Sequence, residues 1–231
     1  KKYVVFTTGG KIMKKYFEVL KNCALFNDTS VDDLENILKC LSAKDKFYKK
    51  NDFIFLEDDK ANYAGIVISG SVCVIKEDFW GNRAILAKLE EGDLFGETYA
   101  LSDTDRLPIS VIAMQDCEVI LIDCKKIIKT CSNSCSFHAK LIDNIIKILA
   151  NKNIALNQKI HHIVKRTTRE KLISYLSEQA ERVKSNVFKI PFNRQELADY
   201  LSVERSAMSN ELCKLRDEGI IEFNKNEFRL K

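Results

Sequence analysis

One uninterrupted stretch, residues 136–163, constrains the fold of this chain more than any other. It contains no glycine or proline, and its apolar residues recur with helical spacing. Because a surface helix needs only one apolar face, two apolar stripes predict a helix covered on two sides, by its own domain and by a second copy of the chain. A core helix of a monomer is the alternative. The stripes are Leu141, Ile145, Ile148 and Ala155, and Ile142, Leu149, Leu156 and Ile163. We expect a homodimer with Ile145 and Ile148 at its seam.

The bulk composition fits an ordinary folded protein. Its 231 residues, 45% hydrophobic and 30% charged, suit one large or two modest domains. No apolar run reaches the roughly eighteen residues of a membrane span and no signal peptide is recognised, so we expect a cytoplasmic protein without a membrane partner. The net charge of +4 is too small to indicate a nucleic-acid partner by itself. Residues 1–12, which precede Met13, are set aside.

The cysteines and the missing motifs exclude several kinds of site. Eight scattered cysteines predict reduced thiols rather than a disulfide framework. Cys131, Cys135 and His138 lack a fourth ligand at zinc spacing, so no metal site is predicted. The sequence has no G-x-S-x-G, H-E-x-x-H or Walker motif, so we do not expect an enzyme.

The segment between residues 43 and 122 changes to short β-prone runs separated by turn residues, including the turn Trp80-Gly81-Asn82. Short strands at this spacing predict a small antiparallel barrel or jelly roll. The resulting fold class is α+β. The predicted domains are an effector-binding barrel with flanking helices (13–131), a long dimerisation helix (132–164) and a winged helix-turn-helix (165–231).

The last of these domains follows from local helix signals. An amphipathic helix is predicted at 165–180, and Asn193 with Glu196 three residues later opens the next one. A tight connection at 203–205 leads into a second short helix, which Gly219 ends. Two short helices followed by a β-hairpin describe a winged helix-turn-helix.

The segments 66–75, 81–83 and 90–97 are similar to the cyclic-nucleotide-binding-type barrel of the Crp/Fnr family, and the segment 194–221 is similar to that family's DNA-binding signature. Over residues 20 to 231 the chain therefore resembles the Crp/Fnr family of bacterial transcription regulators. The resemblance implies a homodimer paired through the long helices, barrels that bind an effector, and recognition helices that enter successive major grooves of double-stranded DNA. It also implies RNA polymerase as a partner.

The resemblance also implies which residues contact DNA. Ser206 and Asn210 stand where the common family pattern Glu-x-x-Ser-Arg has Glu and Arg, and since Asn suits adenine, we expect an operator different from the usual family site. Phosphate contacts position a protein on DNA without specifying the sequence. The expected base-reading residues are Arg205, Ser206, Ser209 and Asn210, and the expected phosphate contacts are Arg194, Lys214, Thr168 and Arg169.

The implied effector site departs from the family pattern. Gly96 and Glu97 match the start of the nucleotide cassette, although a structural carboxylate is an equal reading of Glu97. The family's Arg-Ser-Ala is replaced by Leu107-Pro108-Ile109, and Arg106, one position earlier, should face the other side of its strand. This site lacks the arginine guanidinium that binds phosphate through two hydrogen bonds, so we expect an unknown effector other than cyclic AMP. By resemblance Ile154 and Ala155 of the long helix complete the site.

No cofactor is identified. The iron–sulfur branch of the family needs clustered N-terminal cysteines, and only Cys23 lies early. The three histidines, His138, His161 and His162, all fall on or at the end of the long helix. A histidine that is hydrogen-bonded within the protein is a simpler interpretation there than a haem ligand. A cyclic-nucleotide-binding or redox-sensing signalling module is the alternative function, but such a module has no use for a winged helix-turn-helix.

Overall fold

A computed structural model of the chain describes residues 11–81, 83–128 and 137–231. Its helices are α1 (Lys11–Asn22), α2 (Val31–Cys40), α3 (Glu97–Ala100), α4 (Lys125–Ile128), α5 (Phe137–Ile163), α6 (Thr168–Val183), α7 (Arg194–Leu201) and α8 (Arg205–Asp217), with a short 3₁₀ turn at Ala24–Phe26. Its strands are β1 (Lys44–Tyr48), β2 (Phe53–Phe55), β3 (Ala64–Ser69), β4 (Val72–Glu77), β5 (Arg83–Leu89), β6 (Leu94–Phe95), β7 (Ser110–Ala113), β8 (Cys117–Ile122), β9 (Val187–Lys189), β10 (Ile221–Asn224) and β11 (Glu227–Leu230).

The β-prone segment forms two four-stranded sheets, in the orders β1-β8-β3-β6 and β2-β7-β4-β5, which confirms the predicted barrel-like antiparallel architecture. Strand β3 is buried along almost its whole length, and one of its residues is a glycine for a steric reason. A Cβ at Gly65 would lie 2.1 Å from Cζ of Phe95, whose ring covers the strand there. Only glycine therefore fits between β3 and this ring.

The described chain divides into two compact units. The first takes in residues up to Lys76 and Ala87–Asn151, and the second takes in Glu77–Leu86 and Lys152–Lys231.

In the first unit one face of α5 belongs to the core. Leu141, Ile145 and Ile148 are buried there among side chains of α1, α2 and the first sheet. Asn144, on the same face, donates to the carbonyl oxygens of Leu25 at 3.0 Å and Asn27 at 3.1 Å. The prediction that Ile145 and Ile148 lie at a dimer seam is therefore wrong. Both stripes have the same seven-residue repeat, so spacing alone does not show which one the chain's own domain covers.

A different set of apolar residues on α5 is exposed. Ile146, Leu156 and Ile160 are 59%, 54% and 44% exposed, and Ile142, Leu149 and Ile163 are half-buried. When Asn153, between Leu149 and Leu156, is added, steps of four and three residues alternate along this set, as in a two-stranded coiled coil. We call it the seam stripe: Ile142, Ile146, Leu149, Asn153, Leu156, Ile160 and Ile163.

The second unit contains the predicted winged helix-turn-helix, with α7 and α8 followed by the three-stranded sheet β10-β11-β9. Helix α6 begins at Thr168, later than predicted, because Thr167 caps it. The Thr167 hydroxyl accepts from the Glu170 amide at 3.1 Å, and the Glu170 carboxylate accepts from the Thr167 amide at 3.1 Å. The end of α5 is tied to α6 by buried His162, which hydrogen-bonds Ser174 and Glu178, each at 2.8 Å.

Lys159 of α5 is a buried cation in this second unit, 6% exposed. Its Nζ donates to the carbonyl oxygen of Ile85 and lies 4.6 Å from the centroid of the Tyr200 ring. Loss of hydration lowers the pKa of this amine to about 8. The charged form is therefore less favourable in the folded protein than in the unfolded chain.

Replacing Lys159 by methionine should remove a pH dependence of stability. An unfolded lysine keeps its proton up to a pH of about 10.4, so between pH 8 and that value the unfolded chain binds more protons and stability rises with pH. Below pH 8 the burial cost, roughly 3 kcal/mol from the difference in pKa, is fully present. Melting temperatures of the wild-type protein, Lys159→Met and the control Lys152→Met at pH 7 and 9.5 measure the effect. An equal rise in all three proteins would contradict the assignment.

Two further features of the described residues concern membrane-spanning helices and cysteine pairing. No helix among them combines the length and the apolar character that a membrane span needs. Their six cysteines, at positions 23, 40, 73, 117, 124 and 213, are free thiols. The residues Asn82, Cys131 and Cys135, named in the sequence predictions, lie outside the described part of the chain.

Candidate nucleic-acid interface and effector region

The helix-turn-helix is built by local hydrogen bonds. The Asn193 side chain accepts from the Glu196 amide at 3.0 Å, and the Glu196 carboxylate accepts from the Asn193 amide at 2.9 Å, as the sequence predicted. Ser202, with a φ of 52°, ends α7 in the left-handed conformation and turns the chain toward α8. Helix α8 then buries one face through Met208, Leu212 and Leu215. Its opposite face is left to solvent, as a recognition helix requires.

This exposed face of α8 carries the four residues predicted to read bases. Arg205, Ser206 and Asn210 are exposed, and Ser209 is half-buried. The Ser209 hydroxyl donates to the Arg205 carbonyl oxygen at 2.9 Å, so its oxygen is left as an acceptor for other partners. Among these four residues, Arg205 and Asn210 therefore have the longest polar side chains.

Glu204 is a residue that the sequence analysis missed. It caps α8 by accepting from the amides of Ser206 at 2.9 Å and Ala207 at 2.7 Å, and it also accepts from the Ser206 hydroxyl. These hydrogen bonds, first of all the one from the hydroxyl, lower the pKa of Glu204. Ser206 is thus part of the cap, and a carboxylate stands at the start of the recognition helix. Glu is a rarer cap than Asp, Ser or Asn, which is why local signals did not reveal it.

An open depression of about 520 Å³ brings together four of the predicted DNA contacts. Thr168 and Arg169, from the start of α6, lie on one side of it, and Asn210 and Lys214, from α8, lie on the other. Backbone amides at the start of a helix attract anions, and so do both cations. The depression therefore places groups that attract anions beside Asn210, which the sequence predicts to read a base.

Both cations of this depression are paired with carboxylates. Arg169 makes a two-pronged contact with Glu218, at 2.9 Å and 2.5 Å, and Lys214 lies 2.6 Å from Glu211. The hydrogen bond from Arg169 lowers the pKa of Glu218. Solvent screens exposed pairs of this kind, so another anion can compete with the carboxylates for either cation.

Arg194 is not among the residues that line this depression. Its guanidinium lies 4.8 Å from the centroid of Phe223 and 5.2 Å from that of Phe228, and burial lowers its pKa. It therefore fastens the wing hairpin to the start of α7 through cation–π contacts. The two aromatic partners lie about thirty residues further along the chain, so no local pattern around Arg194 indicated this position.

In the first unit Gly96 and Glu97 begin α3. Gly96 has a φ of 78°, and a Cβ there would lie 3.0 Å from a ring carbon of Phe55, so both conformation and space favour glycine. Glu97 is 1% exposed, and its carboxylate accepts from the Thr98 hydroxyl at 3.2 Å. A buried carboxylate thus stands where the resemblance placed the start of the effector site.

The segment 106–109 alternates as the sequence predicted. Leu107 and Ile109 are buried, whereas Arg106 and Pro108 are exposed. The Arg106 guanidinium donates outward to the Asp58 carbonyl oxygen at 2.7 Å. The inward position of this segment therefore holds a leucine, and the neighbouring arginine does not replace it.

Lys76 is a second residue that sequence reasoning missed. Its Nζ donates to the carbonyl oxygen of Pro108 at 2.8 Å and contacts the Glu57 carboxylate. Tyr99 lies within electrostatic reach of both Lys76 and Glu97, although burial is the main cause that raises its pKa. The surroundings of residues 106–109 are therefore partly polar, and their cation, Lys76, is already paired with Glu57. Ile154 and Ala155, the other predicted effector contacts, are exposed residues of α5 in the second unit.

Comparison with known families matches both parts of the chain. The cyclic nucleotide-binding domain family matches residues 45–134, and the Crp-like helix-turn-helix domain family matches residues 170–231. A curated relative, the anaerobic regulatory protein of Bacillus subtilis (strain 168), is 23% identical over 205 residues, which cover 87% of this chain and 84% of that protein.

Solved structures share the fold. The c-di-GMP responsive global regulator CLP of Xanthomonas campestris matches with a TM-score of 0.70 and 19% identity, over 87% of this chain and 99% of that one. A CooA mutant from Carboxydothermus hydrogenoformans matches with a TM-score of 0.68 and 22% identity, over 89% and 88%. FixK2 from Bradyrhizobium japonicum matches with a TM-score of 0.64 and 22% identity, over 82% and 92%.

Proposed function

This chain belongs to the Crp/Fnr family of DNA-binding transcription regulators, and we propose that it works as a homodimer that binds a palindromic operator under the control of a small effector. Its domains are those of regulators, not of enzymes. The depression that gathers Thr168, Arg169, Asn210 and Lys214 carries the DNA-binding part of the proposal, because it joins phosphate-binding and base-reading groups on one surface.

The seam stripe of α5 supports the homodimer. Ile146, Leu156 and Ile160 are exposed and the other apolar residues of the stripe are half-buried, so packing against the same face of a second copy removes apolar surface from water. A two-fold dimer also presents two recognition helices to half-sites about one helical turn apart. This geometry requires a palindromic operator.

Selection of binding sites from random duplex DNA with the full chain tests the proposal. We expect a two-fold consensus whose half-sites are centred roughly 10 base pairs apart. Adenine should be enriched opposite Asn210, since its carboxamide matches the adenine edge. A pool without a palindromic consensus would overturn the proposed mode of binding.

The effector proposed for this protein is less anionic than a cyclic nucleotide. The position that needs a phosphate-binding arginine holds buried Leu107, and the nearby cation, Lys76, is already paired with Glu57. Burying a phosphate without a charged partner costs several kcal/mol. A partly apolar ligand that contacts Gly96, Glu97 and the segment 106–109 suits these residues better.

Cyclic AMP and cyclic GMP should not bind at micromolar concentration. The expected affinity loss follows from the missing charge-assisted contact, which is about twice as strong as a neutral hydrogen bond. Isothermal calorimetry with each nucleotide measures it directly. The matched variant Leu107→Arg restores a cation at this position, and any recovered nucleotide affinity would show that the missing arginine causes the weak binding. Micromolar binding to the wild-type protein would contradict the prediction.

Two further assignments follow from the family. A regulator bound near a promoter meets RNA polymerase, which we propose as a partner. Because it must reach the chromosome, we assign it to the cytoplasm. A signalling module without DNA binding remains the alternative for the barrel alone, and failure of the selection experiment would favour it.

A further inference from the structure

Asn153 interrupts an otherwise apolar seam stripe near its middle. In heptad terms the a positions of the stripe are Ile146, Asn153 and Ile160, and the d positions are Ile142, Leu149, Leu156 and Ile163. Isoleucine at a with leucine at d, as at the two central d positions, favours two strands in a parallel coiled coil. An exposed asparagine at the central a position is the one exception to the apolar rule along this stripe.

The chemistry of a carboxamide makes this exception selective. In a parallel pair in register, each a position meets the same position of the partner, so two Asn153 side chains face each other across the two-fold axis and can hydrogen-bond. In an antiparallel or shifted pair, the same amide faces leucine or isoleucine and loses its hydration without a partner. Asn153 therefore weakens the wrong pairings more than the right one.

A hydrogen bond from Asn157 orients the Asn153 side chain. Asn157, one turn further on, donates its Nδ2–H to Asn153 Oδ1 at 3.0 Å. This bond uses one acceptor site of Asn153 and restrains its side chain. The two N–H groups of the Asn153 amide are still available as donors to the partner's Asn153.

Charges beside the stripe offer little alternative control. Coiled coils often choose partners through ion pairs between e and g positions. Here the e positions after the first turn are Ala150, Asn157 and Val164, all uncharged, so the lysines at the g positions, Lys152 and Lys159, face no acidic e residue across the seam. Asn153 is therefore the residue that selects the orientation and register of the paired helices.

We infer that Asn153 pairs with its own copy across the dimer axis and so fixes the parallel, in-register association of two chains. The inference rests on the proposed homodimer and goes beyond it, because it names the residue that chooses the register. Its consequence is a weaker but more specific dimer than a fully apolar stripe would give.

Subunit exchange tests the pairing with the full-length protein. Wild-type chains and Asn153→Ile chains of different tag size are mixed and equilibrated, and native mass spectrometry counts the dimers. If position 153 meets itself, the mixed dimer places an amide against isoleucine, so its share should fall well below the roughly one half expected at random. Asn151→Ile, a like change at an exposed site off the stripe, is the control and should mix at random.

Sedimentation of Asn153→Ile alone supplies the second readout. We expect its dimer dissociation constant to fall by about tenfold or more, with assemblies larger than dimers appearing. Random mixing of Asn153→Ile with the wild-type chain would overturn the inference even if both variants dimerise. A wild-type protein that sediments as a monomer would instead refute the homodimer itself, so the two failures are distinguishable.

Discussion

Replacing Ile146 and Ile160 together by aspartate should leave a folded monomer that no longer binds operator DNA. Both side chains are exposed in the single chain, at 59% and 44%, so the charges cost the monomer little. In a dimer the same charges would be buried in an apolar seam without partners, which costs several kcal/mol. We expect the dimer dissociation constant to rise by at least about a hundredfold, equivalent to roughly 2.7 kcal/mol.

Sedimentation equilibrium measures the dimer, and circular dichroism shows whether the monomer is folded. Ile154→Asp is the matched control, because Ile154 lies on the same helix, is 57% exposed and is off the seam stripe. That variant should remain a dimer. If the double variant also remains a dimer, the copies associate through another surface. Ile145 and Ile148 are unsuitable for this test, because aspartate there would disrupt the core of the first unit.

The second large effect should follow from shortening a base-reading side chain of the recognition helix α8. Asn210→Ala or Arg205→Ala should relax preference at one base pair of each half-site and cost roughly 1–3 kcal/mol per half-site. Because a dimer uses two half-sites, the total loss of operator affinity is about 2–6 kcal/mol, or from about thirtyfold to about twenty-thousandfold. Fluorescence anisotropy with the selected operator and single-base variants measures it.

The expected pattern across sequences separates base readout from a general weakening. Lys214→Ala should reduce affinity for all duplexes similarly and lower the salt dependence of binding by about one counterion per half-site. Asn62→Ala, an exposed amide in the first unit, should change neither affinity nor preference. If Asn210→Ala weakens operator and unrelated DNA equally, Asn210 does not read a base.

The sequence predicted those parts of the fold that rest on short-range signals. The capping box of Asn193 and Glu196, the helix ended near Gly219 and the hairpin of β10 and β11 are all set by residues a few positions apart. The alternation of Leu107 and Arg106 was also predicted, although these residues precede β7 and Arg106 makes only an isolated β-bridge. Such signals can be read without the tertiary structure.

Long-range contacts explain what the sequence analysis missed. Which stripe of α5 enters the core depends on Leu25 and Asn27, more than a hundred residues earlier, whose carbonyl oxygens bind Asn144. The burial of Lys159 depends on Ile85 and Tyr200. Lys76 reaches the candidate effector region only because the sheets bring it to Pro108. None of these partners lies within reach of a local pattern.

The paired cations of the DNA-facing depression bear on how quickly the protein searches a chromosome. Arg169 and Lys214 hold Glu218 and Glu211 at contact distance, so if these cations bind phosphates as we propose, each phosphate competes with an acidic side chain of the protein itself. This competition shortens the residence time on random DNA, where phosphate contacts supply nearly all the affinity. At an operator the added base contacts outweigh it. The carboxylates thus speed release from the many wrong sites.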